Sequence, residues 1–465
     1  MTRSRAGWDI HFEAGGSLAP PLAGSHGVTR AEVQAELRRC REVLPKLQGT
    51  HPASGFVRVL KRTAALRAVQ ASAARWRARK PNDLIHIGIG GSSLGAEALL
   101  RATAHPHHDL LPERQRGGPR VHFVDNVDPE TLGALLEVVD LRQSLVHVVS
   151  KSGSTVETAA GFQVVRDALE RAGRGVRWAE HCVFTTGRGA LCELGTREGV
   201  EILDFPADVG GRFSVLTASG LFTPAVAGVD IGAVVQGARR YLSRIANAAP
   251  ADNSAAVSAA VAFLIAERKR KSIHVLMPYA DALEPLARWY VQLIGESLGK
   301  RARRGARTTG VGPTPLPARG TSDQHSQVQL FVEGPADKWV NFVSVEKPRR
   351  VQRIAGGEPA DYLEGIDLGT LLRAEQRGTA IALAAARRPS ACWILPEIHP
   401  QSVGQLFFAL ELQTAYQGAL YGIDAYDQPG VEAGKIAAYA LMGRAGYEDR
   451  RNELEQSAPS KRRLV

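Results

Sequence analysis

Residues 150–158, SKSGSTVET, concentrate hydroxyls at Ser150, Ser152, Ser154 and Thr155 around a cation, Lys151, and a flexible Gly153. Ahead of them, the apolar run 145–149, interrupted only by His147, reads as a buried parallel strand. Behind them, Phe162, Val165, Ala168 and Leu169 recur at helical spacing. The hydroxyls therefore sit on a strand-to-helix turn. The first turn of a helix carries unpaired N–H groups and partial positive charge. Hydroxyls and a lysine gathered there suit an anion, phosphate best, whereas an ordinary helix cap needs only one of them. A second turn of the same kind is 88–95, GIGGSSLG. A dinucleotide fingerprint would need glycine where Ser93 stands, and no Walker lysine follows. What is left is backbone at Gly91 that can approach a small anion, with the Ser92 hydroxyl beside it. Two such turns in one sheet would meet at its carboxyl edge, where open α/β sheets bind ligands.

Four further groups could act on a ligand held there. Arg212 follows paired glycines in VGGRFS and could stabilise a developing oxyanion, although a surface arginine after a turn looks the same in sequence. Gln292, Glu296 and Lys300 are spaced by four and share a helix face. Glu296, between Leu293, Ile294 and Leu298, is placed to be a general base or half of an ordinary Glu–Lys helix pair. His325 lies among polar residues in TSDQHS, and Lys435 follows the turn DQPGVEAG. The cluster His105, His107 and His108 has no acidic or cysteine partner in register, so a solvated loop is expected rather than a metal site.

The elements around these residues alternate strand and helix. Helices are expected over 31–44, 56–78, 94–103, 255–269, 283–300, 371–385, 401–421 and 431–441. Strands are expected over 84–89, 121–124, 145–149, 182–185, 272–277, 340–345 and 392–395, with 305–318 as a Gly/Pro-rich loop. This is the pattern of two doubly wound α/β domains with parallel sheets. The boundaries expected are an N-terminal arm at 1–50, a first domain at 51–228, a second at 229–445 and a basic tail at 446–465.

At 465 residues, two or three domains are expected, and 44% hydrophobic with 23% charged residues is a globular composition. No apolar run is long enough for a bilayer, and the N-terminus has no hydrophobic segment of a secretory signal. Four dispersed cysteines form no metal or redox pair, so a cytoplasmic protein is expected. The net charge of +11 comes from short basic clusters (267–271, 300–304, 461–463) read as solvated loops and tail. With 6% aromatic residues and no nucleic-acid-binding motif, a nucleic-acid partner is not expected.

Taken in order, the motifs IGIGGSSLG, SKSGSTVET, VGGRFS, QLIGESLGK, TSDQHSQVQL and DQPGVEAGK resemble the glucose-6-phosphate isomerase (phosphoglucose isomerase) family, in its compact bacterial form. The resemblance covers most of the chain beyond residue 50. It implies two sugar-isomerase domains and an aldose–ketose isomerase of glycolysis and gluconeogenesis that uses no metal or other cofactor. It implies that Ser92, Ser150, Lys151, Ser152 and Thr155 bind a sugar phosphate, with Gly91 in the same turn. Glu296 matches the base that moves a proton between C2 and C1, and Arg212 the arginine beside the cis-enediolate. His325 and Lys435 match the groups that open the ring, and Glu157 a carboxylate orienting the histidine. Gln292 and Gln428 match substrate contacts. The resemblance further implies a homodimer in which His325 enters the neighbouring subunit's site. The chain departs from the family pattern at Ser93 (commonly Asp), Leu298 (often Asn) and Pro429 (frequently Trp), and keeps Arg212, Glu296, His325 and Lys435. Activity on mannose 6-phosphate, an aminosugar-phosphate isomerase and a non-catalytic sugar-phosphate-sensing module are the other readings.

Overall fold

The computed structural model describes residues 7–456 except positions 20, 21, 23, 24, 50, 51, 53, 174, 306 and 360. The basic stretch 461–463 lies outside the described residues. Two compact bodies result, Met1–Ala425 and Tyr426–Val465. The strands, in chain order, are β1 His11–Glu13, β2 Asp83–Ile87, β3 Arg120–Val124, β4 Ser144–Ser150, β5 Cys182–Thr186, β6 Glu201–Asp204, β7 Ile273–Pro278, β8 Lys300–Arg304, β9 Arg307–Val311, β10 Thr314–Pro317, β11 Lys338–Lys347 and β12 Ser390–Glu397.

The first body holds two five-stranded sheets. In the first, the order β3-β2-β4-β5-β6 is parallel throughout. The continuous apolar runs of its central strands are buried on both faces, as helices on each side of a parallel sheet require. Ile85, Ile87, Val146, Val148 and Phe184 pack on one face against Phe162, Leu169 and Trp178. The second sheet runs β1-β12-β11-β7-β10. Counting each sheet's parallel strands in chain order, the first follows 2-1-3-4-5 and the second 2-1-3-4, so the two share one doubly wound pattern. The antiparallel strand β1 closes the second sheet against β12.

Several elements differ from expectation. The stretch 305–318 is not a loop: β9 pairs with β8 as a hairpin, and β10 joins β7 in parallel. The prolines of β10 argue against a strand unless it lies at a sheet edge, which is where β10 lies. The basic residues 300–304 are accordingly strand, and Lys271 of the 267–271 cluster is buried with its Nζ donating to the Ala336 carbonyl. The helix expected over 56–78 breaks at Arg62, where Arg58 and Arg62 both turn to the Asp208 carboxylate. The long helix ends at Leu298, which takes Lys300 off the face of Glu296 and into β8. Strands β1 and β6 were not anticipated. Among the described residues no helix is long and apolar enough to cross a membrane.

Several titratable side chains are buried in the interior. Burial pushes His86 down to about 4, His274 to about 3 and His147 well below its ordinary value, so all three are neutral in the fold. Each such histidine lends stability that is complete above about pH 6.5 and is lost as the pH falls toward its folded value. Buried Glu411, whose carboxyl is pushed well up, works in the opposite sense. His274 stacks edge-on against Trp339 at 5.0 Å, a geometry phenylalanine can keep. In His274→Phe, chemical denaturation between pH 6 and 5 should show a stability slope shallower than wild type by about 1.4 kcal/mol per pH unit. An unchanged slope would mean that His274 does not enter the fold neutral.

Candidate active site

The first sheet reverses its winding between β2 and β4, so the crevice at their carboxyl ends is the topological switch point. Both hydroxyl-bearing turns leave the sheet there, 88–93 after β2 and 150–155 after β4. In the second turn the buried Ser150 hydroxyl bonds that of Thr155 at 3.0 Å, and Ser152 and Ser154 lie 3.2 Å apart, hydroxyl to hydroxyl. Thr155 is the N-cap of the helix Val156–Arg171, but no side chain caps that helix. Its first-turn N–H groups carry no side-chain cap, and Thr158 adds a buried hydroxyl without a partner among the described residues. Lys151 reaches across the crevice and donates to the Val209 carbonyl at 2.8 Å. Burial lowers its pKa, with Arg212 close enough to add to the effect and Asp208 opposing it.

The turn carrying Gly91 and the turn carrying Arg212 are packed backbone to backbone. A Cβ on Gly91 would stand 2.2 Å from the Gly211 carbonyl carbon and 2.5 Å from the Arg212 nitrogen. The Ser214 hydroxyl also bonds the Gly91 carbonyl at 3.1 Å. Arg212 is only 2% exposed. Its Nε donates to Ser297 Oγ at 2.6 Å, one terminal nitrogen to Glu296 Oε2 at 3.2 Å, and the other to the Ala425 carbonyl at 2.7 Å. On the helix Glu284–Leu298, Gln292 donates to Glu296 Oε1 at 3.1 Å, while its own buried Oε1 has no partner among the described residues. Gln292 also lies against Gly90, its amide nitrogen 2.8 Å from where a Cβ there would be. One carboxylate, 31% exposed, is thus braced on both oxygens at the mouth of the crevice. Such a group can accept a proton from a bound ligand while the guanidinium faces the charge that develops.

The structure brings Gly91, Ser92, Ser150, Lys151, Thr155, Arg212, Gln292 and Glu296 around this crevice. It keeps His325 elsewhere in the same body. His325 follows β10, and its neighbour Gln324 bonds Tyr279 Oη at 2.6 Å, at the carboxyl end of β7. Arg319 of the same segment pairs with Glu284, at the start of the helix whose far end carries Glu296. The two glutamates are twelve positions apart, about 18 Å along the axis. His325 is exposed and has no partner among the described residues. Glu157, half-buried, stands one residue into its helix. Lys435 and Gln428 belong to the second body, where Lys435 pairs with Glu432 at 3.1 Å and Gln428 precedes a short turn beginning at Pro429. His105, His107 and His108 do not converge: His105 Nδ1 accepts from the His107 backbone, and buried His108 bonds the Pro119 carbonyl.

The phosphoglucose isomerase family profile matches residues 48–355 and 379–460, more than four-fifths of the sequence. The chain belongs to that family. A glucose-6-phosphate isomerase of Rubrobacter xylanophilus is 44% identical over 427 residues, covering 90% of this chain and 96% of the relative. One from Thermus thermophilus is 40% identical over 424 residues, covering 90% and 95%. Among solved structures, a hypothetical protein of Thermus thermophilus superposes with a TM-score of 0.82 at 36% identity, covering 94% of this chain and 100% of that one. A glucose-6-phosphate isomerase from Chlamydia trachomatis gives 0.74 at 26% identity, covering 87% and 78%. Of the departures from the phosphoglucose isomerase pattern, Ser93 is buried with its hydroxyl unpartnered, and Leu298 is fully buried.

Sequence reasoning missed Ser297, Thr158 and Asp208. Nothing local distinguishes Ser297 from any serine on a helix. Its role comes from an arginine 85 residues away. Because Gly91 touches backbone rather than a movable side chain, Gly91→Ala must push two turns apart. The variant should lose about 1–3 kcal/mol of stability in chemical denaturation. A change below ~0.5 kcal/mol would show that the turns are not rigidly packed.

Proposed function

We propose that the chain interconverts glucose 6-phosphate and fructose 6-phosphate through a cis-enediolate, with Glu296 as the base. The observation that carries this reading is the carboxylate held between Gln292 and Arg212 at the switch-point crevice. The sugar phosphate enters with its phosphate on the Ser150, Lys151, Ser152 and Thr155 turn and on Ser92. That fixes the distant C1–C2 end beside Glu296. Glu296 takes the proton from C2 and returns it to C1. The negative charge passes to the oxygens of the enediolate, facing the Arg212 guanidinium. Gln292 offers its unpartnered Oε1 to a sugar hydroxyl, and Gln428 supplies a further substrate contact. No metal or redox cofactor is required, since the reaction only moves protons within one sugar.

Ring opening needs an acid and a base at O5 and O1. We assign these to His325 and Lys435, with Glu157 orienting the histidine. The Arg319–Glu284 pair ties the His325 segment to the first turn of a helix on which Glu296 lies about 18 Å further along, and this supports a homodimer in which His325 of the partner subunit completes each site. The two sheets are the cores of sugar-isomerase domains over 51–228 and 229–445. Four free cysteines suit a cytoplasmic enzyme.

A coupled assay with fructose 6-phosphate in EDTA should give full turnover. Glu296→Gln should abolish both turnover and solvent exchange of the C2 hydrogen, while an enediolate-like hydroxamate still binds within about tenfold of wild type. Exchange at the wild-type rate would remove Glu296 as the base. Mixing His325→Ala with Glu296→Gln subunits should recover part of the activity, because half of the sites in mixed dimers have both residues. If proven subunit exchange restores nothing, each site is built from one chain.

A further inference from the structure

His86, His147 and Thr185 lie on one face of the first sheet. His86 pairs in register with His147, and His147 with Val183, two residues before Thr185. Thr223, from the helix Ala218–Val226, packs onto the same face. Four short contacts join them: Thr185 Oγ1 to His147 Nε2 at 2.8 Å, His147 Nδ1 to Thr223 Oγ1 at 2.9 Å, Thr223 Oγ1 to His86 Nδ1 at 2.8 Å, and His86 Nε2 to the Ser92 carbonyl at 2.7 Å. All four side chains are buried.

The direction of every bond follows from the last. A carbonyl has no proton, so His86 must donate through Nε2. A neutral imidazole then presents Nδ1 as an acceptor, and burial keeps His86 neutral. Thr223 must give its only proton to that nitrogen. Its oxygen is left to accept from His147 Nδ1–H, and a neutral His147 in turn accepts at Nε2 from Thr185. The His147 Nδ1 to His86 Nδ1 contact of 3.3 Å agrees, since one nitrogen carries a proton and the other a lone pair. The two histidines are therefore fixed in opposite tautomers, and the chain ends on the turn that carries Ser92 and Gly91.

We infer that His86 is a positioning residue for the substrate site, its Nε2–H holding the Ser92 carbonyl and its tautomer set by the one-way chain Thr185–His147–Thr223–His86. An apolar residue at 86 would fill the same space. It could not anchor the Ser92 carbonyl, which folds back over Gly88 so closely that a Cβ there would stand 2.9 Å from it. With this anchor the turn is held from below by His86, from the side by the Gly211–Arg212 backbone, and next to Gln292. Its rigidity bears on ligand binding more than on the proton transfer, because Ser92 is assigned to the phosphate and not to the reacting carbons.

The kinetic part of this inference rests on the isomerase reading, and the tautomers do not. Neutron diffraction of the full-length protein at neutral pD should place deuterium on Nε2 of His86 and on Nδ1 of His147. His86→Phe keeps the bulk and removes the donor. It should raise the KM for fructose 6-phosphate about tenfold with kcat within about twofold. His86→Gln, which retains a donor and an acceptor, should recover most of the loss. Should His86→Phe fail to fold, Thr223→Val leaves the core filled and frees the tautomer, and KM should rise about threefold with kcat held. Deuterium on the opposite nitrogen of either ring, or a foldable variant with unchanged KM, overturns the inference. A wild type that does not turn over fructose 6-phosphate would sink the isomerase reading and leave the tautomer assignment to stand or fall by diffraction.

Discussion

A guanidinium cannot leave water without partners, and the Arg212 group, only 2% exposed, shapes the site through the partners it has gathered. Ser297 and Glu296 come from the end of one long helix, and the Ala425 carbonyl is the last residue of the first body. Removing a single partner from a buried charge costs about 3–5 kcal/mol, so these three segments are held together by a strong constraint. The same side chain bonds the Glu296 carboxylate and helps to fix its orientation. Serine on one side and a carbonyl on another satisfy two branches of the fork, and the Glu296 carboxylate pairs with the third.

Topology explains why the crevice lies there. The parallel strands run 2-1-3-4-5 in the first sheet and 2-1-3-4 in the second, and in the first the winding reverses between β2 and β4. Turns from adjacent strands diverge at that point and leave a cleft whose floor is backbone. The helix Glu284–Leu298 leaves the carboxyl end of β7, packs along Leu94–Thr103 and delivers its last turn to this cleft. Its length has a second consequence. Glu284, which pairs with Arg319 of the His325 segment, stands about 18 Å along the axis from Glu296.

The polar interior of the first sheet belongs to the same economy of positions. His86 and His147 occupy places where valine would be unremarkable in a parallel strand. Neutral imidazoles are tolerated because every nitrogen of the pair has a partner, and the chain of partners leads to the active-site turn. His274 and Asn341 in the second sheet have no such partners among the described residues, so the two sheets are alike in winding but not in polar pairing.

Much of this was legible in the residues. The strands β2, β4, β5, β7, β11 and β12 are short apolar runs between turn signals, and periodicity placed them to within a few residues. The motifs gave the family because glycine, hydroxyl and charged residues at those spacings answer to local backbone needs. Elements set by distant contacts were not legible. β10 is proline-rich and is a strand only because it lies at an edge beside β7. β1 is three residues whose pairing is with β12, far along the chain. Lys300 continued the helical spacing, yet the helix stopped at Leu298. The sequence by itself determined which groups could bind phosphate, accept a proton or face an oxyanion, since those capacities belong to the side chains. Only the tertiary structure decided which of them share a crevice, that Ser297 and Ala425 brace the arginine, and that His325 stands apart. Those facts depend on burial and on contacts between segments tens to hundreds of residues apart, where the cost of an unpaired charge selects one arrangement.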